Sequence, residues 1–238
     1  MWSGPRNLST ALMRSFGSRA DTLVTDEPFY GAYLKSSGDP QPMADEVIAA
    51  MDCDWSSVAR TLTGPPPHPA PIWYQKHMAH HMVGPVAHDD LPGLAHAFLI
   101  RDPARVVASY AAKREAVRPE HLGTARQVEY FDREADRLGH APPVIDSADV
   151  LRDPAGTLQL LCAALGIGWD RAMLSWAPGV RETDGMWAPH WYDAVAASTG
   201  FGAPDDRPLD LTPDEQRVAD ACRADYDYLS RFALRSKP

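Results

Sequence analysis

The chain has 238 residues, 45% of them apolar, and a formal net charge of −9. That length suits a single domain spanning 1–238 with a sheet covered on both faces. The acidic balance argues against a nucleic-acid partner, so any anionic ligand needs a local basic pocket. Cys53, Cys162 and Cys222 are odd in number and far apart, which excludes a disulfide framework or zinc knuckle and points to a reduced, cytoplasmic setting. No apolar run reaches the length of a membrane span, and no signal-peptide core opens the chain, so no membrane partner is expected.

The first strand reads as little more than Met1 and Trp2, which implies either a very short strand or a natural start upstream. Gly4-Pro5-Arg6-Asn7-Leu8-Ser9-Thr10 follows as a turn, a cation and two hydroxyls before an apolar helical pattern. Leu8, Leu12, Met13 and Phe16 predict a helix over 9–19 with Ser9 or its neighbour as cap. A short strand is expected over 21–25, ending in Asp26-Glu27-Pro28, and a helix over 44–59. The prolines from Pro65 to Pro71 read as a rigid loop. Strands are expected over 72–76 and 95–100, the second continuously apolar as in a parallel strand buried on both faces.

Asp102-Pro103 opens a helix with Val106, Val107 and Tyr110 facing inward. A helix over 126–138 follows, then a short strand at 144–145. Asp153-Pro154 caps another helix that stops at Gly166. A last helix is expected over 212–232, opened by the capping box Thr212-Pro213-Asp214-Glu215. Strands alternating with helices imply a three-layer α/β/α fold with a mostly parallel central sheet. Ligands then belong at the carboxyl ends of the strands.

Two segments carry chemistry there. A loop feeding a helix N-terminus presents free N–H groups and the positive end of the dipole. Arg6 adds donors and charge, and Ser9 and Thr10 add hydroxyls. Alone, this segment serves equally as a capped helix. In the second segment Arg101 ends a buried strand and Ser109 lies eight residues later on the next helix, where together they can clasp one phosphate. Alone, that is equally a helix started by Pro103 with a surface Arg.

Taken together, the two segments resemble the sulfotransferases that use 3′-phosphoadenosine 5′-phosphosulfate (PAPS), relatives of the P-loop nucleotide kinases. The overall pattern is closest to small bacterial sulfotransferase-like proteins sharing Trp-Ser-Gly-Pro-Arg and Asp-Glu-Pro. The resemblance implies a P-loop NTPase-like sulfotransferase fold. It also implies that Pro5, Arg6, Asn7, Leu8, Ser9 and Thr10 form the 5′-phosphosulfate loop and that Arg101 and Ser109 form the 3′-phosphate site. Leu8 stands where the family has Gly, and Asn7 where Ser is usual. Arg181 and Gly185, within Arg181-Glu182-Thr183-Asp184-Gly185-Met186-Trp187, resemble the family's late cofactor loop at an unusual spacing. The bland alternative is a surface turn on Asp184-Gly185.

The implied activity is sulfuryl transfer from PAPS to a hydroxyl or amine of a small-molecule acceptor, leaving adenosine 3′,5′-bisphosphate. Such transfer is in line and loose, by analogy with phosphoryl transfer, and needs a base and a cation at the departing oxygen. Arg6 is the expected cation. Family members place the base either on a glutamate near Glu27 or on the histidine of a Lys-x-His segment. Gln75-Lys76-His77-Met78-Ala79-His80-His81 occupies the second place, so His77 is slightly favoured, with Glu27 and His80 beside it and Lys76 as the accompanying cation.

The sulfuryl group carries little charge, so no metal is required. His77, His80 and His81 could share one helix face, but no Cys or carboxylate follows at a fitting interval. The acceptor pocket is expected from the proline-rich stretch, Trp73, the 115–130 segment and Trp187 to Tyr192. Two readings compete: a P-loop kinase or NTPase, disfavoured by the missing Gly-Lys-Ser/Thr, and a non-catalytic nucleotide-binding protein. A homodimer is left open.

Overall fold

The computed structural model describes residues 1–114, 116–204 and 206–235. In chain order the strands are β1 (Trp2–Ser3), β2 (Thr22–Asp26), β3 (Ile72–Met78), β4 (Phe98–Ile100) and β5 (Val144–Asp146). The helices are α1 (Ser9–Phe16), α2 (Tyr30–Ser37), α3 (Ala44–Ala50), α4 (Trp55–Thr63), α5 (Pro103–Ala111), α6 (Pro119–Leu122) and α7 (Thr124–Leu138), followed by α8 (Ser147–Arg152), α9 (Pro154–Ala164), α10 (Ala188–Trp191), α11 (Asp193–Ala196), α12 (Pro213–Ala221) and α13 (Arg223–Ser230).

All strand pairs are parallel, in the order β2-β3-β1-β4-β5. Two-residue β1 lies at the centre, with Trp2 opposite His77 on one side and Phe98 on the other. So short a strand holds because both neighbours supply its partners: Trp2 donates its N–H to Ala97 and His77 donates to Met1. The connection leaving β1 runs toward β2, whereas the one leaving β4 runs toward β5. The crevice between these adjacent strand ends is the topological switch point, where open α/β sheets bind ligands.

Alternation along the strands splits the core. Trp2, Phe98, Ile100 and Val144 pack beneath α4, α7 and α13 through Val58, Leu62, Tyr130, Phe131 and Leu229. Tyr74, Leu99 and Ile145 face the other way, against Leu12, Met13 and Phe16 of α1 and Leu158 and Leu161 of α9. This is the three-layer α/β/α arrangement expected from the sequence.

Several boundaries differ from expectation. The helix expected over 44–59 is two helices, α3 and α4. Asp52 accepts the Asp54 N–H, and Asp54 caps α4 by accepting from Ser57, so local side-chain bonds compete with the helix ladder. The helix expected over 212–232 breaks at Cys222, whose buried side chain packs with Val106, Val107 and Leu122. The first helix ends at Phe16, where Gly17 closes it. Strand β2 runs one residue further than expected, which carries Asp26 to the carboxyl edge. Glu115, at the head of the expected 115–130 acceptor segment, lies outside the described residues.

Candidate functional site

A cleft of about 430 Å³ opens at the switch point. One end is the loop between β1 and α1. Its turn requires a left-handed backbone at Arg6 (φ 60°) and Leu8 (φ 74°). Leu8 occupies the N-cap position, and no side chain caps α1. The first-turn amides of α1 thus lack the side-chain acceptor that helix starts commonly have, at the mouth of a cleft. Ser9, expected as a cap, instead begins the helix and lines the cleft with Pro5, Arg6, Leu8 and Thr10.

The two segments meet at the cleft. Arg6 Nε donates to Ser109 Oγ at 2.9 Å, and Arg101 Nη1 donates to the Arg6 carbonyl at 2.6 Å. Arg6, Arg101 and Ser109 all line the cleft. Arg6 forms no ion pair with a carboxylate among the described residues, and burial pulls its guanidinium below its ordinary value. A half-buried cation without a carboxylate, beside uncapped helix amides, suits an anion chemically. Asn7 does not line the cleft. Its side chain is buried beneath the loop, and its carbonyl accepts from Ser147 Oγ at 2.7 Å.

Across the cleft stands a buried ionic cluster. Lys76 Nζ donates to Asp26 Oδ1 at 2.8 Å, to Glu27 Oε1 at 2.6 Å and to the Tyr192 hydroxyl at 2.6 Å. Tyr192 OH donates to Asp26 Oδ2 at 2.7 Å and accepts from Trp187 Nε1 at 3.1 Å. Burial acts to lower the Lys76 ammonium, but the two carboxylates outweigh it and hold the group above its ordinary value. Burial raises Asp26, and the Lys76 charge opposes that rise. Glu27 sits at φ 43°, in the turn before Pro28, and lines the cleft with Lys76.

The histidines divide by strand parity. Tyr74, Lys76 and Met78 share the face toward α1, and Lys76 and Met78 reach the cleft. His77 points to the opposite face, 4.5 Å from the Trp2 ring and 6.0 Å from Phe29, with Nε2 on Gln75 Oε1 at 3.1 Å. The structure therefore does not bring the favoured base, His77, to the site. The Lys-x-His register falls on Met78, which has no proton to exchange. His80 and His81 follow the strand end and do line the cleft, with His81 Nε2 3.9 Å from Glu27 Oε2. Burial pushes His77, His80 and His81 well below their ordinary values.

The late loop is also rearranged. Arg181 lies away from the cleft, bonded to Ala177 O at 2.8 Å. Asp184 turns inward to pair with Arg14 of α1 at 2.6 Å. Gly185 N–H donates to Asp26 Oδ2 at 3.1 Å, so Gly185 braces the carboxylate from behind instead of lining the cleft. Of the expected acceptor walls, Trp187, Trp191 and Tyr192 are in place. Trp73 is not; it packs on the core with its N–H on Thr25. The proline-rich stretch and the described part of 115–130 stay outside the cleft.

Sequence reasoning missed Asp26 and the Tyr192 hydroxyl as parts of the cluster. Asp26 was findable as the last residue of a strand at the site edge. Tyr192 was not, because its hydroxyl arrives from 166 residues away.

A second histidine group, His88, His96 and Glu134, is buried with its ligating atoms within 4.8 Å of one another. Two of its members are tied to other side chains: Trp2 Nε1 donates to His96 Nδ1 at 2.8 Å, and Arg137 binds both Glu134 oxygens at 2.7 Å, while His88 Nε2 lies 3.1 Å from Glu134 Oε2. We read it as a core network. Among the described residues, no helix is long and apolar enough to cross a membrane.

Comparison with known proteins supplies the wider setting. Residues 1–227 match the family described as "Sulfotransferase domain". Branched-chain-amino-acid aminotransferase-like protein 2 of Arabidopsis thaliana is 35% identical over 210 residues, covering 87% of this chain and 36% of that protein. Branched-chain-amino-acid aminotransferase-like protein 1 of the same plant is 36% identical over 209 residues, covering 85% of this chain and 36% of that protein. The chain thus spans little more than a third of these relatives. The sulfotransferase domain from the curacin biosynthetic pathway superposes with a TM-score of 0.50 at 15% identity, over 92% of this chain and 95% of that one, a likeness of fold.

Proposed function

The chain belongs to the sulfotransferase family, and from that premise we propose that it transfers a sulfuryl group from PAPS to a hydroxyl or amine of a small acceptor. The observation that carries this reading is one cleft with an anion cradle at one end and a carboxylate braced by an ammonium at the other. The α1 N-terminus with Arg6, Ser9 and Thr10 suits the 5′ side of the nucleotide. Arg101 and Ser109 suit its 3′-phosphate. When bound, PAPS supplies an activated sulfuryl group whose bond to the 5′-phosphate oxygen is broken. Glu27 takes the acceptor proton, Arg6 neutralises charge on the departing oxygen, and Lys76 holds Glu27 in place. With His77 outside the cleft, Glu27 is the base in this reading, and His80 and His81 are walls.

Calorimetry with adenosine 3′,5′-bisphosphate tests this. Binding should persist in chelator and weaken about tenfold or more in Arg101→Ala, since a charged hydrogen bond contributes about 1.5–3 kcal/mol. Ser109→Ala should weaken it less, through release of Arg6. Arg6→Ala should lower turnover on an acceptor panel more than it lowers bisphosphate affinity. Binding of magnesium ATP in place of the bisphosphate would sink the reading in favour of a kinase.

A further inference from the structure

Three N–H donors are all that an ammonium has, and in Lys76 each is committed: one to Asp26, one to Glu27, one to Tyr192. The cluster holds two carboxylates against one ammonium, so it carries one surplus negative charge beneath the cleft. The remaining question is which carboxylate takes a proton.

Hydrogen-bond counting answers it. Lys76 and Trp187 both donate to the Tyr192 oxygen, which fills its two acceptor positions. That hydroxyl must therefore donate, and Asp26 Oδ2 at 2.7 Å is nearer than Glu27 Oε1 at 3.3 Å. Asp26 then receives three donors: Lys76, Tyr192 and the Gly185 N–H. No neighbour is left to accept a proton from it. Glu27 shares Lys76 on Oε1, while Oε2 forms no hydrogen bond among the described residues and lies 3.9 Å from His81 Nε2.

We propose that Asp26 and Tyr192 are positioning residues that make Glu27 the proton acceptor. Asp26 takes its share of Lys76 together with the Tyr192 and Gly185 donors, so Glu27, which lines the cleft, holds the ammonium only in part. This rests on the reading of Glu27 as the base. The titratable groups facing Glu27 are Lys76 from β3, Asp26 from β2, Tyr30 from α2, Tyr192 after α10 and His81 after β3. Both tyrosines are held above their ordinary values by burial and His81 is held well below its own, so none of these three alters the charge count near neutrality.

The test follows the Glu27 carboxyl band by infrared difference spectroscopy across a pH series, with Glu27→Gln identifying the band. In Asp26→Asn, Lys76 serves Glu27 alone, and the Glu27 midpoint should fall by about one unit or more. The acid limb of any pH–rate profile should move down with it. In Tyr192→Phe, Asp26 loses a donor, and the first proton should go to Asp26, so the Glu27 band no longer appears first. Tyr192→Phe also carries the test should Asp26→Asn fail to fold. A Glu27 titration unchanged in folded Asp26→Asn or Tyr192→Phe overturns the proposal, since a merely structural role would lower stability without moving it. Bisphosphate calorimetry on the parent protein separates the two failures: no binding there removes the sulfotransfer reading, whereas binding with an unmoved Glu27 titration in the variants removes this proposal alone.

Discussion

Among the described residues, four non-glycine residues take positive φ, and three of them, Arg6, Leu8 and Glu27, line the cleft. Left-handed backbone costs an L-residue roughly 1–2 kcal/mol, and such strain persists where surrounding structure overdetermines it. Leu8 shows how. Its side chain packs partly against the α1 face of the core, which offsets the strain that Gly would avoid. Leu8→Gly should therefore leave stability within about 1 kcal/mol of the parent, as relieved strain and lost packing nearly cancel. Leu8→Val should destabilise by roughly 1 kcal/mol or more, because a β-branched residue fits this region worst. Urea denaturation of the two variants checks both signs. At this scale Arg6, Arg101 and Ser109 were legible as residues, since charge and spacing are properties of sequence. That Leu8 itself takes the left-handed turn was not legible, because Leu has no preference for it.

The late loop from Arg181 to Tyr192 joins the two ends of the site. Asp184 ties it to α1, Gly185 to Asp26, and Tyr192 to Lys76. At Gly185 a Cβ would lie about 2.1–2.3 Å from atoms of the Trp187 ring, whose N–H reaches the Tyr192 hydroxyl. Gly185→Ala should thus cost about 1–3 kcal/mol by overpacking. Near-ultraviolet circular dichroism should show Trp187 displaced, and a loss of turnover should exceed the loss of bisphosphate affinity. Helix and strand identities were readable from apolar period and caps. Breaks at Met51–Asp54 and Cys222 were not, since each depends on local side-chain bonds or on a buried contact that the period does not encode.

Across the molecule, His77 and His81 are buried and neutral, and burial lowers His96 to about 4. The unfolded chain protonates these groups near 6.5, so it binds more protons than the folded chain below that pH. Stability should therefore be unaffected by them above about pH 6.5 and fall as pH drops from there toward about 4. Each group contributes a slope of up to about 1.4 kcal/mol per unit. Denaturant midpoints at pH 7.5, 6 and 5 check this, and His96→Gln should flatten the slope if it folds. Burial acts to raise Asp39, but its bonds to Arg114, Gln41 and Tyr33 outweigh it and hold it below the usual carboxylate range, so it adds its own loss only at lower pH.

The sequence by itself determined the α/β layering and singled out the loop after β1 together with Arg101 and Ser109, because period, caps, charge and spacing are local quantities. It also placed Glu27 and Lys76 at one sheet edge. Only the tertiary structure decided which histidine reaches the cleft, since one step along β3 exchanges the two faces and sends His77 into the core. It likewise decided how the two carboxylates share their donors. That depends on donors delivered from Gly185 and Tyr192, and chain separation hides such contacts until the loop is folded over the sheet.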